Sequence, residues 1–264
     1  MAQIFAIVNQ KGGVGKTTTT LNLGAYLSAC GKKVLMVDLD PQANATSGIG
    51  IDHKALESSV YDMLVGRATV GQVIYKTSHK GLHIIPSNQA LAGASVELVS
   101  EQNREFRLAQ ALDAVRNAYD FILVDCPPSL GLLTLNGLVA ADRVLIPIQA
   151  EYYALEGLGQ LLNTIQLVKE NLRPELDVFG ALITMYDSRT RLAKDVMTEL
   201  YRHFPDKIFR AVIPRSVRLA EAPSFGQTIL GYAPSSKAAR SYERLRDEFL
   251  TRFQEYQSVE TPAV

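Results

Sequence analysis

Short apolar segments alternate along this chain with longer stretches of helical periodicity, and no other feature limits its fold as strongly. The apolar segments are continuous runs rather than apolar–polar alternations, which is typical of strands buried on both faces. The longest occupy residues 4–8, 34–37, 121–124, 144–148 and 179–183, with shorter runs at 82–85 and 211–213. Helical patterns cover roughly residues 16–30, 104–117, 155–171, 191–203 and 237–256. We therefore expect an α/β fold, with a mostly parallel, twisted sheet and helices on both of its faces.

The composition is that of an ordinary globular protein. A length of 264 residues, with 47% hydrophobic and 20% charged content, is enough for one large domain with a substantial core. Neither an internal repeat nor a long linker divides the sequence. We therefore predict a single domain over residues 1–257 and a loose tail over residues 258–264.

The cysteine content and the apolar segments bear on the cellular compartment. Cys30 and Cys126 are too few for a disulfide framework and lack zinc-ligand spacing, which suits a reducing cytoplasm. We expect neither a signal peptide nor a membrane span, since no uninterrupted apolar stretch approaches about 18 residues. The formal net charge is zero, so any affinity for nucleic acid has to come from a local basic patch.

Residues 9–20, NQKGGVGKTTTT, follow the first predicted strand and open the first predicted helix. A strand, a glycine-rich turn and a helix in this order are the context of a phosphate-binding loop, or P-loop. Its glycines let backbone N–H groups converge on phosphate oxygens, and the helix N-terminus adds partial positive charge. Lys16 is predicted to reach the β- and γ-phosphates, and the Thr17 hydroxyl to ligate Mg²⁺ directly. The predicted nucleotide contacts of this loop are Gly12, Gly13, Val14, Gly15, Lys16, Thr17 and Thr18.

Acidic residues follow two other predicted strands, at the edge where an open α/β sheet binds its ligands. Asp125 is the candidate Walker B acid and is expected to contact the nucleotide's Mg²⁺ through water. Asp38 and Asp40 follow the run 34–37. Side chains along a strand alternate between its two faces, so both acids would point to the same side if the strand continued that far. Because Pro41 ends the strand soon afterwards, we place Asp40 on a loop, as a switch acid that senses the nucleotide, orients water and lies near the metal.

The residue after Asp125 is Cys126, at a position where motor ATPases commonly carry a carboxylate base. We therefore expect a Mg²⁺-dependent ATPase with slow intrinsic turnover. In such a protein, ATP acts as a timer on a conformational state.

One departure from the general P-loop pattern points to a family. The pattern has a glycine five places before Gly15, where this chain has Gln10, and the next residue is a second lysine, Lys11. The loop resembles the deviant Walker A motif of the ParA/MinD ATPases, whose mark is this extra lysine. Residues 37–48 (VDLDPQANATSG), 125–131 (DCPPSLG) and 212–226 (VIPRSVRLAEAPSFG) are similar to segments of the chromosomal ParA (Soj) branch. The resemblance runs from about residue 2 to residue 250.

The resemblance implies an ATPase that closes with ATP into a homodimer, with two nucleotides sandwiched at the interface. It assigns Lys11 to the partner's phosphates, like an arginine finger supplied in trans, and brings the partner backbone against Gly12. It implies that Asp40 positions the hydrolytic water and that Pro214 lies in the segment around the adenine. The predicted catalytic residues are therefore Lys11, Lys16 and Asp40. It also implies that a ParB/Spo0J-like centromere-binding partner stimulates hydrolysis, which releases the protein from DNA and segregates chromosome origins or plasmids.

In this family the ATP dimer binds double-stranded DNA without sequence preference, which calls for a basic patch and a nucleoid location. From residue 207 to residue 240 the only acid is Glu221, and the basic residues are Lys207, Arg210, Arg215, Arg218, Lys237 and Arg240. Arg189 and Arg191 follow the run 179–183 and could join the patch. The predicted DNA contacts are Arg189, Arg218, Lys237 and Arg240.

The main alternative is a MinD-like membrane-associated positioning ATPase, whose last helix is amphipathic and binds lipid. Here the last predicted helix carries an apolar stripe with helical spacing, formed by Tyr242, Leu245, Phe249, Phe253 and Tyr256. We interpret the stripe as facing the core, and the acids on the other face of this helix oppose anionic lipid. Membrane binding is therefore not expected. An electron-transfer ATPase of the nitrogenase iron-protein type needs cluster-binding cysteines at its dimer interface, which Cys30 and Cys126 do not match.

Overall fold

The computed structural model describes residues 1–151 and 154–260 of the chain, and within them seven strands form one sheet. The strands are β1 (Gln3–Ile7), β2 (Val34–Asp38), β3 (Tyr75–Lys76), β4 (Leu82–Ile85), β5 (Phe121–Asp125), β6 (Arg143–Gln149) and β7 (Asp177–Thr184). Their order across the sheet is β3-β4-β2-β5-β1-β6-β7, and only the edge pair β3–β4 is antiparallel. The predicted α/β class with a mostly parallel sheet is confirmed.

Helices cover both faces of the sheet. They are α1 (Lys16–Ala29), α2 (Asn44–Gly48), α3 (Val60–Leu64), α4 (Leu91–Glu97), α5 (Arg107–Asp113), α6 (Leu132–Ala140), α7 (Ala154–Asn171), α8 (Arg191–His203), α9 (Val217–Glu221), α10 (Ile229–Tyr232) and α11 (Lys237–Glu260). Successive strand residues point to opposite faces. On β1, Phe5 and Ile7 share a core with α1 and α11, whereas Ile4 and Ala6 share one with α6 and α7. The sheet is thus buried between two apolar cores.

The helix predicted over residues 104–117 is interrupted, and only α5 within it is α-helical. The side chain of Asn136 lies at the break. Its Nδ2 donates to the Arg104 carbonyl at 2.9 Å, and its Oδ1 accepts from the Leu108 amide at 3.1 Å. A continuous α-helix would pair these two backbone groups with each other. A side chain distant in sequence therefore overrides the local helical preference.

One predicted strand at the edge of the domain needs correction. Residues 211–213 are not a strand, although the Ile213 amide donates to the Ile183 carbonyl of β7 at 2.9 Å. Pro214 has no N–H group with which to continue such a ladder. At the other end of the chain, α11 runs to Glu260, and residues 261–264 lie outside the described residues. The domain over residues 1–257 and the loose tail over residues 258–264 therefore stay predictions.

The apolar stripe of α11 faces the core, as predicted. Tyr242, Leu245 and Phe249 are buried, and the ring centroid of Phe249 lies 4.8 Å from that of Phe5 and 5.1 Å from that of Phe179. The side of α11 that would have to reach lipid is therefore occupied by the core. Among the described residues, the helices include none with the length and apolarity of a bilayer span.

Candidate functional site

The carboxyl ends of β1, β2 and β5 meet beside one cavity of about 460 Å³. β5 lies between the other two strands, and its last residue, Asp125, is in register with Ile7 of β1 and Asp38 of β2. The loop after β1 forms one wall of the cavity, and the segment after β2 forms another. The lining includes Gly12, Gly13, Gly15, Lys16, Thr17, Thr18, Asp40, Asn44, Leu219, Ala220 and Pro223. The structure therefore brings most of the predicted P-loop contacts together with the predicted switch acid.

The loop between β1 and α1 owes its shape to two glycines. Gly13 and Gly15 have φ values of 74° and 91°, in the left-handed region that side chains disfavour. Gly15 is the N-cap of α1 and offers no side-chain cap to the first helical amides, which leaves them available to a ligand. The Thr184 hydroxyl, at the end of β7, donates to the Val14 carbonyl at 2.7 Å and fixes the middle of the loop. The loop thus has the geometry of an anion cradle at a helix N-terminus.

Lys16 lies in the cavity wall and is only 7% exposed. Its Nζ donates to the Lys11 carbonyl at 3.1 Å. Burial lowers the pKa of this amine, and the nearby carboxylates of Asp125 and Asp40 oppose that shift. An amine that has lost much of its water is stabilised by further negative charge, as a phosphate would supply.

Asp125 and Asp38 form a buried pair of carboxyl groups behind the P-loop. Burial raises the pKa of both, and the charge of Asp38 adds to the rise at Asp125. Asp125 Oδ1 accepts from Thr20 Oγ1 at 3.3 Å, but Asp125 Oδ2 has no partner among the described residues. The Thr17 hydroxyl also lies beside Asp125, where its hydrogen bond lowers the pKa. An unpaired carboxylate oxygen next to a hydroxyl, in a place that penalises negative charge, fits a divalent cation.

Asp38 also holds the segment that carries Asp40. Its Oδ1 accepts from the Asp40 amide at 3.1 Å, and its Oδ2 accepts from the amide and the hydroxyl of Thr46 at 2.8 and 2.7 Å. The Thr46 oxygen in turn accepts from the Ser87 amide at 2.9 Å. Because β2 ends at Asp38, the two acids do not share a side: Asp38 is fully buried, whereas Asp40 lines the cavity.

A second cavity, of about 200 Å³, shares Gly15 and Thr18 with the first. Its walls are largely apolar and include Pro214 and the buried ring of Tyr242. Met185, which lines both cavities, has a φ of 50°, unusual for a residue other than glycine. A largely apolar cavity beside the glycine-rich loop suits a nucleotide base. Pro214 lines this second cavity, and its contact with the adenine stays a prediction.

Lys11 does not line the cavity of its own loop. Its ammonium group pairs with Glu151, whose carboxylate also accepts from Gln149, and 52% of the Lys11 side chain is exposed. Gly12 has no left-handed φ, and a Cβ built on it would meet no atom within 4 Å. Within the described residues, neither backbone conformation nor packing requires a glycine at this position.

Two of the predicted DNA contacts are exposed but paired with acids. Arg218 donates to Glu221 at 3.1 Å, and Arg189 donates to Asp187 at 2.7 and 2.9 Å. The hydrogen bonds from Arg189 hold the pKa of Asp187 at about 2. A polyanion that approaches either arginine therefore meets a neighbouring carboxylate as well.

The other two predicted DNA contacts, Lys237 and Arg240, line a surface cavity of about 410 Å³ together with Arg244. These cations lie on one face of α11, at positions i, i+3 and i+7. None of the three has a side-chain hydrogen bond or ion pair with a residue that the structure describes. Lys207, which the sequence also suggested for the patch, instead donates to Asp177 at 3.1 Å and to the Val178 carbonyl at 2.6 Å.

Several residues of the site were not predicted. Thr46 and Thr184 position loops through hydroxyl bonds, Tyr242 lines the second cavity, and Arg244 extends the basic face. Only Thr184 had a usable sequence signal, since it directly follows an apolar run and therefore stands at the ligand-binding edge of the sheet.

Cys126 is a packing residue. It is buried, and a Cβ on Gly137 would lie 2.6 Å from its Sγ. Burial raises the pKa of its thiol well above the ordinary range. Cys126 therefore stays protonated and does not replace the missing carboxylate base.

Sequence comparisons place these features among known proteins. Residues 2–178 match the family described as AAA domain. The sporulation initiation inhibitor protein Soj of Bacillus subtilis is 54% identical over 248 residues, which cover 94% of this chain and 98% of that protein. The chromosome partitioning protein ParA of Myxococcus xanthus is 48% identical, over 96% of this chain and 89% of that protein.

Solved structures share the fold over nearly their whole length. A cobyrinic acid a,c-diamide synthase from Mycobacterium smegmatis, with bound ATP analogue and magnesium, superposes with a TM-score of 0.86 at 37% identity and covers 97% of both chains. The cell division ATPase MinD of Pyrococcus furiosus has a TM-score of 0.77 at 27% identity, over 95% of this chain and 99% of that one.

Proposed function

The chain belongs to the family of Soj and ParA chromosome-partitioning ATPases, and we propose that it works through an ATP-driven cycle of dimerisation, DNA binding and release. One observation supports this cycle above the others. Gly12 lines the nucleotide cavity although neither its backbone conformation nor its packing requires a glycine, and Lys11 lies outside that cavity, paired with Glu151. The cycle would segregate chromosome origins or plasmids.

ATP and Mg²⁺ are the cofactors that the site fits. The phosphates would lie on the loop from Gly12 to Thr18, with Lys16 at the β- and γ-phosphates and the base beside Pro214. Thr17 would hold Mg²⁺ directly, and Asp125 and Asp40 through water. The metal neutralises phosphate charge when it is bound. The unpaired Oδ2 of Asp125 supports this assignment.

Hydrolysis is assigned to Asp40 as the group that positions the attacking water. It lines the same cavity as Lys16 and Thr17. The side chain that follows Asp125 is a buried, protonated thiol, so no strong base stands at that position. Slow intrinsic turnover follows, with acceleration left to a ParB/Spo0J-like centromere-binding protein.

The ATP-bound form is proposed to be a homodimer. A partner backbone can approach Gly12 closely because no side chain projects there and the surrounding space is open. Lys11 would leave Glu151 and contact the partner's phosphates, where it stabilises the charge of the transition state.

DNA binding is proposed for the dimer surface that carries Arg189, Arg218, Lys237 and Arg240. All four are exposed, and paired copies of the patch would contact phosphates without reading base sequence. The protein would accordingly be cytoplasmic and associated with the nucleoid. A MinD-like membrane cycle is less favoured because the apolar stripe of α11 is buried.

The decisive experiment is a mobility shift of arbitrary duplex DNA at several salt concentrations, with ATP, ADP or no nucleotide. A liposome-sedimentation assay is run beside it. We expect a shift that needs ATP and weakens with salt, and no sedimentation with anionic liposomes. Lys16→Ala is the negative control, since it removes the phosphate-binding amine. An unchanged ATP-dependent shift in that variant, or ATP-dependent liposome binding by the wild type, would count against the proposal.

A further inference from the structure

The segment that carries Asp40 meets the segment that carries Arg218 at one close backbone contact. α2 follows Asp40 and packs against the 3₁₀ turn Ala222–Phe225, which directly continues α9. Beyond α2, Gly50 lies against Gly226. A Cβ built on Gly226 would lie 2.6 Å from Gly50 Cα, and one built on Gly50 would lie 3.1 Å from the Gly226 carbonyl oxygen. The two backbones are thus too close for a side chain at Gly226, and nearly so at Gly50.

The same two segments line the nucleotide cavity. Asp40 and Asn44 come from the first segment, and Ala220 and Pro223 from the second. Arg218 stands on α9 immediately before the cavity-lining residues of the second segment, with 62% of its side chain exposed. A ligand in the cavity therefore touches both segments, and the glycine contact joins them a second time.

Each segment is internally braced, so a displacement at the glycines reaches the functional side chains. In the first, the Gly50 amide donates to Ser47, and Asp38 holds both Thr46 and the Asp40 amide. In the second, the Gly226 amide donates to the Pro223 carbonyl at 3.0 Å. Packed backbones with such bonds shift as units rather than absorbing a clash locally.

We propose that Gly226 is a positioning residue for hydrolysis. Through Gly50 it sets the position of Asp40 in the nucleotide cavity, and the same contact ties the position of Arg218 to the state of the nucleotide. This inference rests on the functions proposed above for Asp40 and Arg218. The contact is the link by which ATP turnover changes the affinity for DNA.

Gly226→Ala tests the link. The new methyl group forces the two segments apart, and a displacement of about 1 Å in a catalytic group can lower a rate by about 10²-fold. We expect kcat for ATP hydrolysis, measured with Mg²⁺, to fall at least about tenfold while the Kd for ATP changes less than about threefold. The ratio of DNA affinities with ATP and with ADP is also expected to fall. Gly50→Ala approaches the same contact from the other side and is expected to show the same changes, more weakly.

Gly66→Ala is the matched control. Gly66 has a φ of 81°, close to the 87° of Gly50, but a Cβ there would meet no atom within 4 Å. This variant carries the backbone cost of a left-handed alanine without the clash. Its kcat and DNA-affinity ratio are expected to match the wild type.

The result that overturns the inference is a folded Gly226→Ala protein whose kcat and DNA-affinity ratio both equal those of Gly66→Ala. If Gly226→Ala does not fold, Gly50→Ala is judged by the same comparison. Failure of the proposed function is distinguishable: a wild-type protein without ATP-dependent DNA binding refutes the DNA cycle and with it the link to Arg218. The kcat comparison still decides whether Gly226 positions Asp40.

Discussion

Replacing Thr46 with valine tests the network that holds the Asp40 segment, because it removes one hydroxyl and keeps the shape of the side chain. The hydroxyl is buried and makes two bonds. It donates to Asp38 Oδ2 at 2.7 Å and accepts from the Ser87 amide at 2.9 Å. Thr46→Val therefore takes a donor from a buried carboxylate and leaves a buried amide without its acceptor.

The size of the effect follows from these two losses. A hydrogen bond to a charged group contributes about 1.5–3 kcal/mol, and a buried donor left unsatisfied costs about 1–3 kcal/mol. The amide of Thr46 still donates to Asp38 at 2.8 Å, which limits the first loss. We expect the free energy of unfolding to fall by about 3 kcal/mol above pH 7. For a urea slope near 3 kcal/mol/M, the midpoint moves by about 1 M.

The loss depends on pH because Asp38 titrates. Burial raises the pKa of Asp38 to about 6, and the hydrogen bonds from Thr46 oppose this rise. An acid whose pKa is raised by folding keeps its proton to a higher pH in the native state, so its contribution to stability falls as pH rises from about 4 to about 6. The Thr46 hydroxyl limits that fall by stabilising the carboxylate. Near pH 8, Asp38 is ionised, and the wild type has the Thr46 hydroxyl as a donor to this carboxylate whereas Thr46→Val does not. Near pH 5, Asp38 is largely protonated in the folded protein and depends less on that donor. The destabilisation by Thr46→Val is therefore smaller near pH 5 than near pH 8.

Urea unfolding followed by circular dichroism at both pH values measures the effect. Thr198→Val on α8 is the control, since Thr198 is exposed and its hydroxyl, among the residues that the structure describes, bonds only to the Lys194 carbonyl, at 3.0 Å. Its loss is expected to stay within about 0.5 kcal/mol. A Thr46→Val loss no larger than that of the control, or equal at the two pH values, would refute this account of the hydroxyl.

Three further substitutions test the proposed cycle. Gly12→Val is expected to leave the free energy of unfolding within about 0.5 kcal/mol of wild type, because the new side chain meets open space. The same variant is expected to form no ATP-dependent dimer. A dimer of this variant in analytical ultracentrifugation with ATP would contradict the prediction. Asp40→Ala is expected to slow hydrolysis by about 10²-fold and to keep the ATP-bound protein on DNA, and normal turnover in a phosphate-release assay would remove Asp40 from its role. Arg218→Glu is expected to weaken DNA binding and to lower the slope of log affinity against log salt concentration by about 1, with dimerisation intact. The control Arg202→Glu on α8 is expected to leave DNA binding and dimerisation unchanged. Equal loss of dimerisation and DNA binding in Arg218→Glu would show that Arg218 is not a DNA contact.

The elements that could be predicted from the sequence are those with local determinants. β1, the glycine-rich loop and α1 follow one another within one stretch of sequence, and each is favoured by its own residues. Asp125 could be placed because it ends an apolar run, and parallel strands bring such ends to one edge. The stripe of α11 could be assigned to the core because its spacing is helical and its other face is charged.

The remainder depends on pairs of residues that are distant in the chain. Asn136 breaks the predicted helix over residues 104–117 from another element, and nothing in that segment reveals it. Glycines show the same limit. Gly66 and Gly226 both have left-handed backbones, but only Gly226 faces another backbone, and the sequence around each gives no indication of the difference. Their roles become visible only when the segments are placed in space.

The place of the second P-loop lysine, Lys11, in the structure supports the role in trans that we propose for it. Lys16 lines the cavity of its own loop, whereas Lys11 pairs with Glu151 and does not line that cavity. That ion pair is about half exposed, at 52% and 43%, so it contributes no more than about 1 kcal/mol in each chain. A cation supplied in trans to a phosphoryl transfer accelerates it by about 10³–10⁵-fold, or roughly 4–7 kcal/mol. Breaking the pair costs less than the transition-state stabilisation that a cation in trans would supply. We therefore propose that the Lys11–Glu151 pair is a resting position, from which Lys11 would reach a neighbouring chain's site.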